Sequence, residues 1–216
     1  MAHFSNVIRG ESQARTPPAA KADETRQRIM QAARLVFSER GYDGATFQAM
    51  AARADLTRPA INHYFSSKRT LYREVLEQTN DLVIGAGIRQ AEHETTLVAR
   101  LKAFISAAVR ANSDNPSVSA FLVTAVLESQ RHPELRRFGN DSVTISREFL
   151  TSAVNDAIAH REVAADIDAS ALVETLIVVL CGVGLYAGYV RSYGEMLAVT
   201  DMLHQLMEGA LWRPEA

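Results

Sequence analysis

Three hydroxyl residues at near-equal spacing constrain this chain more than any other feature. In the stretch ATFQAMAARADLTRPAINHYFSSKRTL, residues 45–71, Thr46, Thr57 and Ser67 each stand just ahead of a short run with helical apolar period. A Ser or Thr in that place accepts a hydrogen bond from a first-turn N–H and so starts a helix. Phe47, Met50, Ala51 and Ala54 then share one face of a first short helix. Ile61 and Phe65 share a face of a second, and Leu71, Val75 and Leu76 of a third. Pro59 falls in the first turn of the middle helix, where its missing N–H costs nothing. Asp55 is turn chemistry between the first two. Two short helices joined this tightly predict a helix-turn-helix.

The flanks extend the helical pattern. Ile29, Ala32, Ala33, Val36 and Phe37 mark the buried face of a preceding helix, which Gly41 is expected to stop. Before it, residues 1–21 read as a disordered leader ending after Pro17-Pro18. The leader has no continuous apolar core of a signal peptide, so a cytoplasmic location is expected. Past residue 80 the period predicts helices near 81–91, 96–112, 117–130, 134–161, 168–192 and 195–212. Strand signals are almost absent. The expected fold class is therefore all-α: an N-terminal three-helix helix-turn-helix domain at 22–80 and a larger C-terminal helical bundle at 81–216 that dimerises.

Charge divides along the same line. Residues 1–80 hold 12 Lys+Arg against 8 Asp+Glu, whereas residues 81–216 hold 11 against 17, although the whole chain is only −2. A basic head on an acidic body suits two jobs, one with an anionic partner. The middle short helix supplies the chemistry. With Ile61 and Phe65 facing inward, Arg58, Pro59, Asn62 and His63 point elsewhere. A DNA duplex presents phosphates and base edges that such donors and acceptors meet. Three helix N-termini within 22 residues add sites for phosphate oxygens.

The sequence GYDGATFQAMAARADLTRPAINHYFSSKRTLYREVL, residues 41–76, resembles the DNA-binding domain of the TetR (tetracycline repressor) family of transcriptional regulators. The resemblance covers residues 22 to 80 closely; beyond them only length and helical layout match. It implies that Thr46 contacts phosphate at the start of the second helix and that Gln48 can reach a base edge. It implies that Arg58, Pro59 and Asn62 form the base-reading face, beginning at the cap Thr57, and that His63, Tyr64 and Lys68 contact phosphate. Two residues depart from the family pattern. Asp55 stands where Gly is usual, and Asn62 where Tyr is common, which detaches this chain's base preference from that of its relatives.

The second region starts from the run ALVETLIVVLCGVGLYAGYV, residues 171–190, the most apolar in the chain. No membrane span is expected, because Glu174 interrupts one end and no basic cluster flanks the run. A buried interface helix fits better, with Cys181 as a buried, inert thiol. Together with the last helix it predicts a homodimer interface made by Leu176, Val179, Leu180, Val183, Gly184, Ala187, Leu203 and Leu206, which is also what the resemblance implies. The alternative is a hairpin that closes the monomer's own core. A two-fold dimer would read an operator that is an inverted repeat.

An apolar pocket for a small-molecule effector is expected among Phe104, Ala108, Phe121, Thr124, Ala125, Glu128, Phe149 and Tyr186; a filled core is the alternative. The resemblance implies repression relieved by a small apolar or amphipathic ligand. No cofactor, metal or enzymatic role is expected. Gly-rich phosphate loop, nucleophile elbow and HExxH are all missing, and adjacent residues such as Glu92, His93 and Glu94 diverge around a helix. The competing function is a helical protein-binding scaffold without DNA affinity.

Overall fold

The computed structural model describes residues 18–135, 141–190 and 192–209. Among them the chain forms ten α-helices and no strand. The head comprises α1 (Pro18–Gly44), α2 (Phe47–Ala54), α3 (Arg58–Tyr64) and α4 (Lys68–Asn80). Helix α4 runs through a π-helical turn, Asp81–Gly85, into α5 (Ala86–Ala91). The body continues with α6 (Leu97–Asp114), α7 (Ser117–Arg131), a 3₁₀ turn at Pro133–Leu135, α8 (Ser142–Ala159), α9 (Ala169–Tyr189) and α10 (Tyr193–Met207).

Most expected boundaries fall within a few residues of the observed ones. Three differ for identifiable reasons. Helix α1 begins at Pro18, so residues 18–21 of the expected leader are helical; residues 1–17 lie outside the described residues. The helix expected over 134–161 is shorter, because Asp141 caps α8 by accepting from the Thr144 N–H and Arg161 turns left-handed at φ 59 beyond its end. Part of that expected span, 136–140, is outside the described residues, as are 210–212 at the expected end of the last helix. Helix α9 ends at Tyr189, and Ser192 caps α10 by accepting from the Glu195 N–H.

The head is built as its periodicity requires. Ile29, Ala33, Val36 and Phe37 of α1 pack with Met50 and Ala51 of α2, Ile61 of α3, and Leu71 and Val75 of α4; each is at most 1% exposed. This core does not stop at the head. Phe121 and Ala125 of α7 and Leu135 join it, and the Phe121 ring meets Tyr72 at 5.6 Å and Phe37 at 6.3 Å. Rings in tilted contact at such distances add a modest packing gain to the area they bury.

The junction is tightened by Gly41. Its φ of 67° breaks the helical path, and a Cβ there would lie 2.6 Å from the buried Glu128 carboxylate of α7. Only glycine meets both demands without strain. Two further cores hold the body, one between α6, α8 and α9 and one between α6, α9 and α10.

Among the described residues one helix, α9, is long and apolar enough to cross a bilayer. Its inner residues Val173, Ile177 and Ala187 are buried in the body. Its outer side carries Val178, Gly182, Leu185 and Tyr189, an exposed stripe at helical spacing. Val199, Met202 and Leu206 form a matching stripe on α10. Such a two-sided helix is what an interface between chains requires.

Candidate nucleic-acid interface

Caps fix the three short helices. Thr46 Oγ1 accepts from the Ala49 N–H at 3.2 Å, Thr57 Oγ1 from Ala60 at 3.3 Å, and Ser67 Oγ from Thr70 at 3.1 Å. Asp55 adopts φ 52°, ψ 52°, the left-handed conformation that the turn demands and that Asp accepts better than most residues. Its N–H and that of Leu56 both donate to the Ala51 carbonyl. This turn swings α3 away from α2 and presents it at the edge of the head.

Ile61 and Phe65 anchor α3 to the core at 0% and 1% exposure. Its opposite face is open: Thr57, Arg58, Pro59, Asn62 and His63 are exposed, and so are Thr46 and Gln48 at the start of α2. None of the side chains of Gln48, Arg58 and Asn62 makes a hydrogen bond or ion pair with any other described residue. Most of the head's other arginines are occupied. Arg26 pairs with Glu74 and lies over the Phe65 ring, Arg53 pairs with Glu39, Arg28 donates to the Ala54 carbonyl, and Arg34 donates to Gln78. Gln48, Arg58 and Asn62 thus place uncommitted donors and acceptors together on α3 and the start of α2.

Tyr64 is half-buried against the head core, and the His63 ring meets it edge-on at 5.4 Å. Lys68 is placed differently from a free surface lysine. Its Nζ donates to the Tyr42 carbonyl at 2.7 Å and lies 4.4 Å from the Tyr42 ring centroid, with the Asp43 carbonyl at 3.4 Å. An ammonium has three N–H donors, so one remains for an outside acceptor.

The body contains a cavity of about 420 Å³ between α6, α7, α8 and α9, and the π-helical turn adds Val83 and Ile84 to its wall. Of the residues expected to line a pocket, Phe104 and Ala108 do so. Phe149 does not: it lies behind Phe104, stacked on it at 5.4 Å. Helix α7 explains three more corrections. Its face at positions 121, 125 and 128 is turned to the head, so Phe121 and Ala125 fill the head core and Glu128 faces Gly41 and His132. Its face at 119, 122, 123 and 126 lines the cavity. Thr124, half-buried between these faces, donates to the Ala120 carbonyl. Tyr186 points outward, 42% exposed, in the groove between α9 and α10.

The interface residues divide likewise. Val179, Val183, Leu203 and Leu206 line the groove on the outer side of α9 and α10. Leu180, Gly184 and Ala187 face the cavity, and Leu176 packs into the α6–α8–α9 core. Beyond Thr175 helix α9 is apolar all round, so its sequence there does not mark which side turns outward. Cys181, expected to be buried, is exposed and lines the cavity; partial burial raises its thiol pKa. The cavity also holds Ser119 and Ser146, which the apolar periodicity passed over. A single serine on an otherwise apolar helical face was the available signal.

Residues 29–75 match the sequence profile described as bacterial regulatory proteins, tetR family. The HTH-type transcriptional activator FasR of Mycolicibacterium smegmatis is 40% identical over 74 residues, 34% of this chain and 33% of that protein. The match therefore spans about a third of FasR's length. The HTH-type transcriptional regulator UidR of Escherichia coli K12 is 26% identical over 149 residues, 68% of this chain and 74% of the relative. The transcriptional regulator FadR from Bacillus subtilis, solved in complex with stearoyl-CoA, superposes with a TM-score of 0.68 at 17% identity, covering 83% of this chain and 96% of that one. Capped head, left-handed turn and exposed third helix coincide with these likenesses: the head, residues 29–75, matches the tetR family of bacterial regulatory proteins, and the chain as a whole shares the fold of the FadR structure.

Proposed function

We propose that this protein is a cytoplasmic, sequence-specific DNA-binding repressor that acts as a homodimer and releases an inverted-repeat operator when a small molecule fills its body cavity. One observation carries the DNA-binding assignment: the exposed face of α3 presents the uncommitted side chains of Arg58 and Asn62, while the opposite face is locked into the core. Arg58 suits the O6 and N7 acceptors of guanine, and Asn62 the N6 and N7 of adenine. Thr46, His63, Tyr64 and the remaining donor of Lys68 suit phosphates, as do the first-turn N–H groups of α2 and α4.

The second copy follows from the outer stripes of α9 and α10. Gly182 leaves open space around its Cα, so a partner helix can approach closely. A two-fold axis at this face would set two copies of α3 about one duplex turn apart, roughly 34–36 Å. Effector control needs a ligand that prefers a state with these helices wrongly spaced. The cavity wall includes the π-helical turn that continues α4, so cavity and head share one rigid element. No catalytic role is assigned, and no scaffold role, because a protein-docking face has no use for so many uncommitted polar groups on α3.

A gel shift with the DNA upstream of the protein's own gene tests the assignment. Retention of that fragment over a scrambled one of equal length is expected. Equal mobility of both at every concentration would overturn it.

A further inference from the structure

We infer that the body cavity takes an uncharged lipophile, held by hydrogen bonds to the hydroxyls of Ser119 and Ser146. The inference deepens the effector role proposed above and rests on it only for the consequence of binding, not for binding itself. The cavity's described lining is aliphatic and aromatic apart from three serines and Cys181; none of those lining residues is charged, and none is an amide. An ionised group drawn inside would lose its water with no counter-charge in return, a cost far above that of any neutral polar group.

The serines differ from one another. Ser142 is occupied, donating to Asn80 Oδ1 at 2.7 Å. Ser119 and Ser146 are 6% and 9% exposed, and neither hydroxyl has a hydrogen-bond partner among the described residues. A hydroxyl on a cavity wall without a protein partner keeps its donor and acceptor free for a molecule inside. Both hydroxyls belong to residues of the cavity wall, one on α7 and one on α8. Two hydroxyls that can each donate or accept fit an alcohol, ketone, ester or lactone oxygen. The whole 420 Å³ holds about 14 groups at the ~30 Å³ that a water molecule claims, all but the polar one of them hydrocarbon.

Isothermal titration of the full chain with decanol, decanoate and propylbenzene tests this. Decanol is expected to bind, and decanoate to bind at least about a hundredfold more weakly. Ser119→Ala and Ser146→Ala should each weaken decanol by about two- to twelvefold, the range of one uncharged hydrogen bond. Propylbenzene has no polar atom and should bind both variants as it binds the unaltered chain, which also verifies that they fold. Decanoate binding as tightly as decanol overturns the inference, as does decanol affinity that ignores both substitutions. Binding of none of the three probes by protein that still shifts DNA overturns it too, and leaves the DNA-binding role standing. Decanol binding as described by protein without DNA affinity would do the reverse.

Discussion

Lys68 joins the architecture of the head to its proposed partner, and replacing it separates the two. In Lys68→Ala the 2.7 Å bond from Nζ to the Tyr42 carbonyl disappears, together with the ammonium over the Tyr42 ring. A hydrogen bond from a charged donor contributes about 1.5–3 kcal/mol, and an exposed cation–π contact about 0.5–1 kcal/mol. The 3.4 Å approach to Asp43 is too long to add much. Lys68 is half-exposed, and water replaces part of what is lost, so a net loss of about 2 kcal/mol is expected. Equilibrium urea unfolding reads this as a lower midpoint. The same substitution removes one proposed phosphate contact. Fluorescence anisotropy across a salt series should then give a log K against log[salt] slope shallower by about 0.9, with affinity reduced on all sequences alike. An unaltered urea midpoint would refute the anchoring role, and an unaltered slope would refute the phosphate contact.

Three further perturbations probe other parts of the molecule. Asn62→Ala should lose about 1–3 kcal/mol of discrimination at a single base position of each half-site, read by binding to a set of single-substituted operators. Gly87→Ala would place a Cβ 2.7 Å from the Phe104 ring, which is buried at the cavity wall; overpacking there should cost about 1–3 kcal/mol in thermal unfolding. His204 of α10 is buried with neither ring nitrogen partnered. Burial first, and Lys102 second, hold its pKa below the ordinary 6.5, against the opposite pull of Asp201 and Glu208. The unfolded chain then takes up a proton near pH 6.5 that the folded chain refuses. Stability should be full above about pH 6.5 and fall as pH drops through it, and His204→Leu should flatten that decline in urea midpoints taken between about pH 7 and 5.

The head was legible in the sequence because its helices are short, capped and one-sided. Thr46, Thr57 and Ser67 each accept the expected first-turn N–H, Asp55 takes the left-handed turn, and Ile61 and Phe65 face inward. Local chemistry decides such features. The body was legible as helices but not as surfaces. Helix α7 is apolar on two sides, one for the head and one for the cavity, so Phe121, Ala125 and Glu128 could not be told from true cavity residues by spacing. Helix α9 is apolar throughout beyond Thr175, and only its neighbours decide that Leu180 and Ala187 turn in while Leu185 and Tyr189 turn out. Lys68 reads as a free cation in sequence, yet the end of α1 captures two of its donors. Each of these outcomes depends on contacts between residues distant in the chain, which periodicity does not encode.

Hydroxyl-radical footprinting of the full-length protein on DNA upstream of its gene tests the central claim most directly. Two protected patches on one face of the duplex, centred about one helical turn apart over an inverted repeat, are the predicted result. Uniform cleavage along the whole fragment at saturating protein would contradict the assignment of α3 as a base-reading helix.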